Sequence, residues 1–239
     1  MATPPTNPPA QSHPNSLTAQ IEAFVSRHQA VTDELEDIHL DACIEEAQAH
    51  PQRRTLSPFL PTTSVDLATI FEALDIGPRC VMVDLGCGDG RPLIAGALLR
   101  GCRGVGVDIS WQCIWLAKTI MAGEYLLEGT LDLFTLDLLE DQNEALDLLV
   151  AAVEAQATEI DAGAVIIFLY VYPTLLARLV ELVRRLASAC QGEGGQRMVQ
   201  VVTLTYHFAG PLVEAAEWTQ VCEGRFQVHT LKEREECEE

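Results

Sequence analysis

The chain has 239 residues, 48% of them hydrophobic, enough to build a full core and to exclude a wholly disordered protein. Its longest apolar run, Ala162–Val171 (AGAVIIFLYV), is about half of what a membrane-spanning helix needs, so no membrane span is expected. Thirty-five acidic against 15 basic residues give a formal net charge of −20; such a surface repels phosphate backbones, speaks against a nucleic-acid partner and attracts basic proteins or cationic small molecules.

Residues 1–16 (MATPPTNPPAQSHPNS) hold five prolines and no charge, the composition of a disordered tail. Ser16 or Thr18 can cap the helix that follows, where Ile21, Phe24, Val25 and His28 recur at helical spacing. A break near Thr32 or Asp33 leads into an acidic helix, DELEDIHLDACIEEAQAH, whose apolar stripe is Leu35, Ile38, Cys43 and Ile44. Residues 51–63 are turn-rich, and Ser64 is placed to cap a helix over Val65–Leu74. The organisation expected is a Pro-rich tail over 1–17, an N-terminal helical segment over 18–56 and the main domain over 57–239.

From here strands and helices alternate. CVMVDL (80–85) reads as a buried strand, GCGDGR (86–91) as a Gly-rich turn, and Pro92 suits the first turn of a helix running to Arg100. GVGVDI (104–109), a helix Trp111–Leu127, a strand within LDLFTLDL (131–138) and a helix Glu144–Ala157 follow. AVIIFLYV (164–171), a helix Leu175–Cys190 and MVQVVTLTYHF (198–208) continue the pattern. The segments Glu214–Cys222 and Arg225–Lys232 are compatible with a closing antiparallel pair. The fold class is therefore α/β, with a largely parallel sheet covered by helices on both faces.

Eight cysteines occur without a CxxC pair or metal-ligand spacing, so buried free thiols in a reducing compartment are expected, and no metal site. The first basic residue is Arg27, and no apolar signal region precedes it; a cytoplasmic or nuclear location is expected.

The chemistry concentrates in VMVDLGCGDGR (81–91). The spacing Gly86-x-Gly88-x-Gly90 differs from the GxGxxG of dinucleotide folds. Asp84, two residues before the first glycine, suits a pyrophosphate poorly. It suits a ligand with an ammonium group and a cationic sulfur, and S-adenosylmethionine has both. Asp108, ending the second strand, can accept the ribose hydroxyls of an adenosyl nucleoside, a geometry shared with NAD folds. Asp137, after the third strand, can accept the exocyclic amine of adenine or cap a helix. All three aspartates end successive strands, at the sheet edge where open α/β folds bind ligands. Trp111 reads as helix packing, with flanking of the adenine as the other reading, Asp89 and Arg91 as loop stabilisers, and His207 as a packed or solvated histidine or a base.

VMVDLGCGDGR, GVGVDIS and FTLDL together resemble motifs I to III of the class I S-adenosylmethionine-dependent methyltransferases over about Ser57 to Lys232. With SPFLPTT (57–63) and FLYVYP (168–173), the chain further resembles the lysine methyltransferases related to those of the ATP-synthase c-subunit and the adenine-nucleotide translocase. Cys87 stands where those carry serine, Leu60 where they carry valine, and Thr63 where they carry a second proline. The resemblance implies a Rossmann-like seven-stranded sheet, S-adenosylmethionine as cofactor and a protein-lysine substrate. It implies a cofactor site of Asp84, Gly86, Cys87, Gly88, Asp108, Ile109, Asp137 and Leu138, closed by Phe59 and Pro61. It further implies an acceptor site at Tyr170, Tyr172 and Pro173. Packing at the sheet edge is the other reading of the tyrosines, and a helix-entry staple that of Phe59 and Pro61. A small-molecule methyltransferase and a non-catalytic cofactor-binding module are the alternatives.

Overall fold

The computed structural model of the protein describes residues 16–30, 33, 60–126, 128–208 and 218–231, with the strand Trp218–Glu223 described by its backbone. The proline-rich tail up to residue 15, the stripe Leu35, Ile38, Cys43 and Ile44, and Phe59 lie outside the described residues.

In chain order the elements are α1 (residues 17–30), α2 (Ser64–Ala73), β1 (Cys80–Leu85), α3 (Arg91–Arg100), β2 (Arg103–Asp108), α4 (Trp111–Gly123), β3 (Leu131–Thr135), α5 (Gln142–Glu159), β4 (Ala164–Leu169), α6 (Pro173–Cys190), β5 (Met198–Leu204), β6 (Trp218–Glu223) and β7 (Phe226–Leu231). One seven-stranded sheet runs β3-β2-β1-β4-β5-β7-β6. The first five strands pair in parallel, and β7 inserts antiparallel between β5 and β6. This is the seven-stranded Rossmann-like sheet expected from the sequence.

The strands sort their side chains by the two-residue period of an extended chain. Met82, Ile166 and Phe168 face one side, where α1 to α4 add Phe24, Phe71, Leu93 and Ile114. Val83, Val105 and Ile167 face the other, against Leu149 and Val153 of α5 and Leu179 and Leu186 of α6. Both β1 and β4 are buried along their full length, as central parallel strands covered by helices must be. On β2, a Cβ at Gly106 would lie 2.6 Å from Leu133 Cδ2 and 2.7 Å from Leu93 Cδ1, so the absent side chain lets α3 and β3 close on the strand.

Helix starts follow capping chemistry, and α2, α5 and α6 begin one or two residues before the expected Val65, Glu144 and Leu175. Ser16 Oγ accepts from Ala19 N at 3.2 Å, and Ser110 Oγ from Cys113 N at 3.3 Å. Asp141 caps α5 through Asn143 N and Glu144 N. At α2 the cap is Thr63, whose Oγ1 accepts from Asp66 N at 3.1 Å, and Ser64 is the first helical residue. The expected strands 164–171 and 198–208 end earlier, at Leu169 and Leu204, although the apolar run continues. The β4–β5 ladder stops at Leu169 opposite Thr203, and Thr205 then turns the chain at φ 64°. Helix α4 stops at Gly123 rather than Leu127; Glu124 beyond it is held by Arg27 Nε at 2.9 Å and His28 Nε2 at 2.7 Å. Trp111 is not buried in the core: it and Trp115 are each 63% exposed on α4.

Cys80, Cys87, Cys102, Cys113 and Cys190 are buried free thiols, and burial pushes Cys102 and Cys190 up to about 12. No helix among the described residues is long and apolar enough to cross a membrane.

Helix α1 belongs to the core of the sheet. Ile21 and Phe24 are buried in the same cluster as Phe71 and Leu93, and Leu17 packs against it. Phe24→Ala is therefore expected to cost about 3–5 kcal/mol of global stability. Urea denaturation followed by tryptophan fluorescence and by far-ultraviolet dichroism should show one coincident transition at lower urea. Two separated transitions would mean that α1 unfolds on its own.

Candidate functional site

The site begins where β1 ends. Gly86 takes φ 95°, a conformation open to glycine, and its exposed backbone forms the mouth of the turn. The amides of Gly86 and Cys87 both donate to Val107 O at 2.9 Å, which folds the turn over the end of β2. Gly90 N donates to Cys87 O at 2.8 Å and closes it. A Cβ at Gly86 would lie 3.0 Å from Val171 Cγ1, so the residues after β4 stand directly across from the turn. Cys87 contributes backbone here; its thiol is buried, and burial with the nearby Asp84 pushes it well above its ordinary value.

Asp84 is the penultimate residue of β1 and only 2% exposed. Among the described residues, no hydrogen bond or ion pair engages its carboxylate. Burial holds that carboxyl well above the usual carboxylate range, and the charges of Asp108 and Asp89 add to the effect. Asp89 is compensated. Arg91 Nη2 donates to its Oδ2 at 3.0 Å and Arg91 N to its Oδ1 at 3.1 Å, with both residues buried. Arg91 Nη1 also donates to Thr62 O at 3.2 Å. The turn-rich segment before α2, with Pro61 half-buried in it, is thereby fastened to the Gly-rich turn.

Asp108 ends β2 with both oxygens engaged: Oδ2 accepts from Gly88 N at 2.9 Å and Oδ1 from Ser110 N at 2.8 Å. It fixes the glycine turn and the start of α4. Ile109 beside it is exposed. Leu136 N donates to Asp108 O at 2.9 Å, which brings the exit of β3 alongside. Asp137 Oδ1 accepts from Leu139 N at 2.9 Å in a local turn, and Asp141 is the cap of α5, so the helix-cap reading of Asp137 is set aside. The side chain of Leu138 is buried with the core on the α5–α6 side.

Past β4, Tyr170 is half-buried and packs with the core of the α1–α4 face. It lies two residues beyond Phe168, the register partner of Asp84. Tyr172 caps α6 and Pro173 is its exposed first residue, which needs no amide partner there. Tyr172 meets Tyr206 edge to face, with centroids 5.3 Å apart at 84°. His207 folds back toward β5, Nδ1 lying 3.1 Å from Thr203 Oγ1. Burial lowers its pKa. The structure thus gathers Asp84, Gly86, Gly88, Asp108 and Asp137 at the carboxyl edge. Sequence reasoning took Asp89 and Arg91 as loop stabilisers but missed the bond from Arg91 to Thr62, and it missed Tyr206, whose only signal is its place at the end of an apolar strand.

No protein-family profile and no curated protein sequence matches the chain. Among solved structures, an RNA methyltransferase from Salinibacter ruber in complex with S-adenosyl-L-homocysteine is 22% identical, with 75% of this chain and 97% of that chain covered and a TM-score of 0.47. A hypothetical protein from Thermus thermophilus is 14% identical over 74% of this chain and 91% of its own, with a TM-score of 0.49. A ribosomal-protein methylase from Lactobacillus delbrueckii subsp. bulgaricus is 18% identical over 74% and 81%, with a TM-score of 0.45.

A buried carboxylate with a raised pKa sets a sign for stability. Its contribution is full below the pKa of the unfolded chain and is lost as pH rises through the folded value. Asp84→Asn removes that loss. The variant is expected to be more stable than wild type by about 1–3 kcal/mol at about pH 8, and by less at about pH 5. Urea midpoints at the two pH values check both the sign and the trend.

Proposed function

We propose that the protein is an S-adenosylmethionine-dependent methyltransferase acting on lysine in a protein target. The observation that carries the cofactor is Asp84: a buried carboxylate, without a hydrogen-bond partner among the described residues, beside a glycine turn at the carboxyl edge of the sheet. Such a group favours a cationic ligand, because a positive charge beside it restores the ionised form. S-adenosylmethionine brings an ammonium for that carboxylate and, when bound, supplies a methyl group on cationic sulfur.

In this reading Asp84 holds the ammonium, while the backbone of Gly86, Cys87 and Gly88 allows close approach. Asp108 accepts the ribose hydroxyls. Ile109, Asp137 and the backbone of Leu138 form the adenine end, with the Asp137 carboxylate accepting the exocyclic amine. Phe59 and Pro61 close over the cofactor from the segment that Arg91 fastens. The domain over 57–239 carries the chemistry; the segment 18–56 precedes it, and the part of it in α1 is docked against the same core.

Tyr170, Tyr172 and Pro173 line the acceptor side. A lysine ammonium has no free lone pair and must lose its proton before it can attack the methyl carbon in line with the sulfur. Aromatic faces steady the cationic amine, and a desolvated edge lowers its pKa. The lysine assignment rests on the resemblance of SPFLPTT and FLYVYP. The net charge of −20 favours a basic protein over a nucleic acid as partner. Buried free thiols suit a reducing compartment such as the cytoplasm.

The test uses purified protein, methyl-labelled S-adenosylmethionine and a cell lysate, with Asp84→Ala as control. Label recovered as methyl-lysine, and absent from the control, is the expected result. Label in RNA or only in metabolites would replace the acceptor and keep the cofactor. Asp108→Ala is expected to weaken binding of S-adenosylhomocysteine about 10- to 100-fold by calorimetry, the range for losing hydrogen bonds to a charged acceptor. Wild-type affinity in both variants would overturn the cofactor site.

A further inference from the structure

The exit of β5 is strained in a way that packing alone does not require. Tyr206 N donates to Leu204 O at 2.7 Å, an i to i+2 bond that makes a three-residue turn centred on Thr205. Thr205 sits at φ 64°, where a β-branched side chain is an outlier. Strain of this kind persists only when neighbours over-determine it, and it collects at functional sites.

The neighbours are specific. Arg225, in the turn between β6 and β7, accepts through its carbonyl from Thr205 N at 2.8 Å. Its Nη2 donates to Thr205 Oγ1 at 3.0 Å, and its Nη1 to Asp66 Oδ2 at 2.9 Å. Thr63 Oγ1 donates to that same Asp66 oxygen at 2.7 Å. The chain Thr63–Asp66–Arg225–Thr205 therefore runs from the start of α2 to the β5 exit. What the turn accomplishes is the placement of Tyr206. Leu169 pairs with Thr203 on the adjacent strand, so Tyr172 and Tyr206 each stand three residues beyond a paired position. Their rings meet nearly at right angles, both half-buried.

We propose that Tyr172 and Tyr206 form an aromatic corner that binds an alkylammonium group, with Tyr206 as the second wall of the acceptor site and Arg225 as its positioning residue. Where one ring meets another edge to face, the faces of both border the angle between them, and a cation over a ring face is held by the ring's quadrupole. The ligand class is a primary or methylated amine on an alkyl chain, the chemistry of a lysine side chain. This rests on the methyltransferase reading for its purpose, but its binding can be measured apart from it.

The chain has four tyrosines, Tyr125, Tyr170, Tyr172 and Tyr206, so ring-labelled tyrosine gives four resolvable sets of NMR signals. The probe is n-butyltrimethylammonium, titrated into the full chain. Signals of Tyr172 and Tyr206 should move together with one dissociation constant, while the exposed Tyr125 stays still. Tyr206→Leu should weaken binding about 3- to 10-fold and Tyr206→Phe should retain it, since the ring face and not the hydroxyl does the binding. Arg225→Met, at a side chain 55% exposed, should weaken the probe similarly while leaving the fold and the affinity for S-adenosylhomocysteine as in wild type. Absence of the paired shifts overturns the proposal. So does a titration that Tyr206→Leu and Arg225→Met leave unchanged. Failure of S-adenosylhomocysteine to bind, with the tyrosine shifts intact, would remove the cofactor reading and support the ammonium corner by itself.

Discussion

A buried carboxylate at the end of the central strand is the constraint on which the candidate site depends. Asp84 is placed between β2 and β4 by parallel pairing, with Gly106 on one side and Phe168 on the other. The fold tolerates its burial because apolar strands and helices on both faces hold β1 in place irrespective of it. Nothing in the described structure neutralises it, and two further carboxylates lie near enough to make its charge costlier. A site that spends stability in this way favours the ligand that relieves the cost, and trade-offs of stability against function take this form.

Around that carboxylate the loops are tied down from two directions. Asp108 reaches across from β2 to Gly88 and fixes the conformation of the glycine turn. Thr62 and Thr63, adjacent in sequence, lead to different places. Thr62 is bound through Arg91 to the glycine turn, and Thr63 through Asp66 and Arg225 to the exit of β5. One short segment before α2 therefore touches both halves of the carboxyl edge. A shift of that segment would be felt at the turn beside Asp84 and at Tyr206 together, because each connection is a hydrogen bond to a charged group.

Much of this was legible in the sequence because it is local. The central strands β1, β2 and β4 are apolar runs that end at a glycine, an acidic residue and a tyrosine, and the intervening stretches are long enough for helices. Asp84, Asp108 and Asp137 were readable as strand-end acids, and the closing antiparallel pair was readable from the two segments that flank its turn at Gly224 and Arg225. The misplaced boundaries share one cause: apolar residues continue past Leu169 and Leu204, and hydrophobicity does not record where pairing stops. Arg225 and Asp66 are 159 residues apart, so no local pattern could join them. Thr205 conceals its turn, since a β-branched residue in a strand-like run argues for extension. Leu138 reads as a neighbour of Asp137 and so of the site, but the local turn held by Asp137 sends its side chain into the core.

The placement of the buried guanidinium is the last part of the electrostatic argument. Arg91 stands at the start of α3, where the helix dipole already favours negative charge, and a cation there carries an unfavourable dipole term. It is held by Asp89 and by the Thr62 carbonyl, and so pairs with the carboxylate two residues before it rather than with Asp84. A guanidinium paired with Asp84 would have satisfied the deeper acid and left no reason for a cationic ligand to enter. Pairing with Asp89 compensates the carboxylate that belongs to the turn's own structure and leaves the one at the strand end without a counter-ion among the described residues. One cation beside three aspartates thus pairs with Asp89, while Asp108 fixes the loop and Asp84 keeps no partner among the described residues, the arrangement on which the proposed cationic ligand rests.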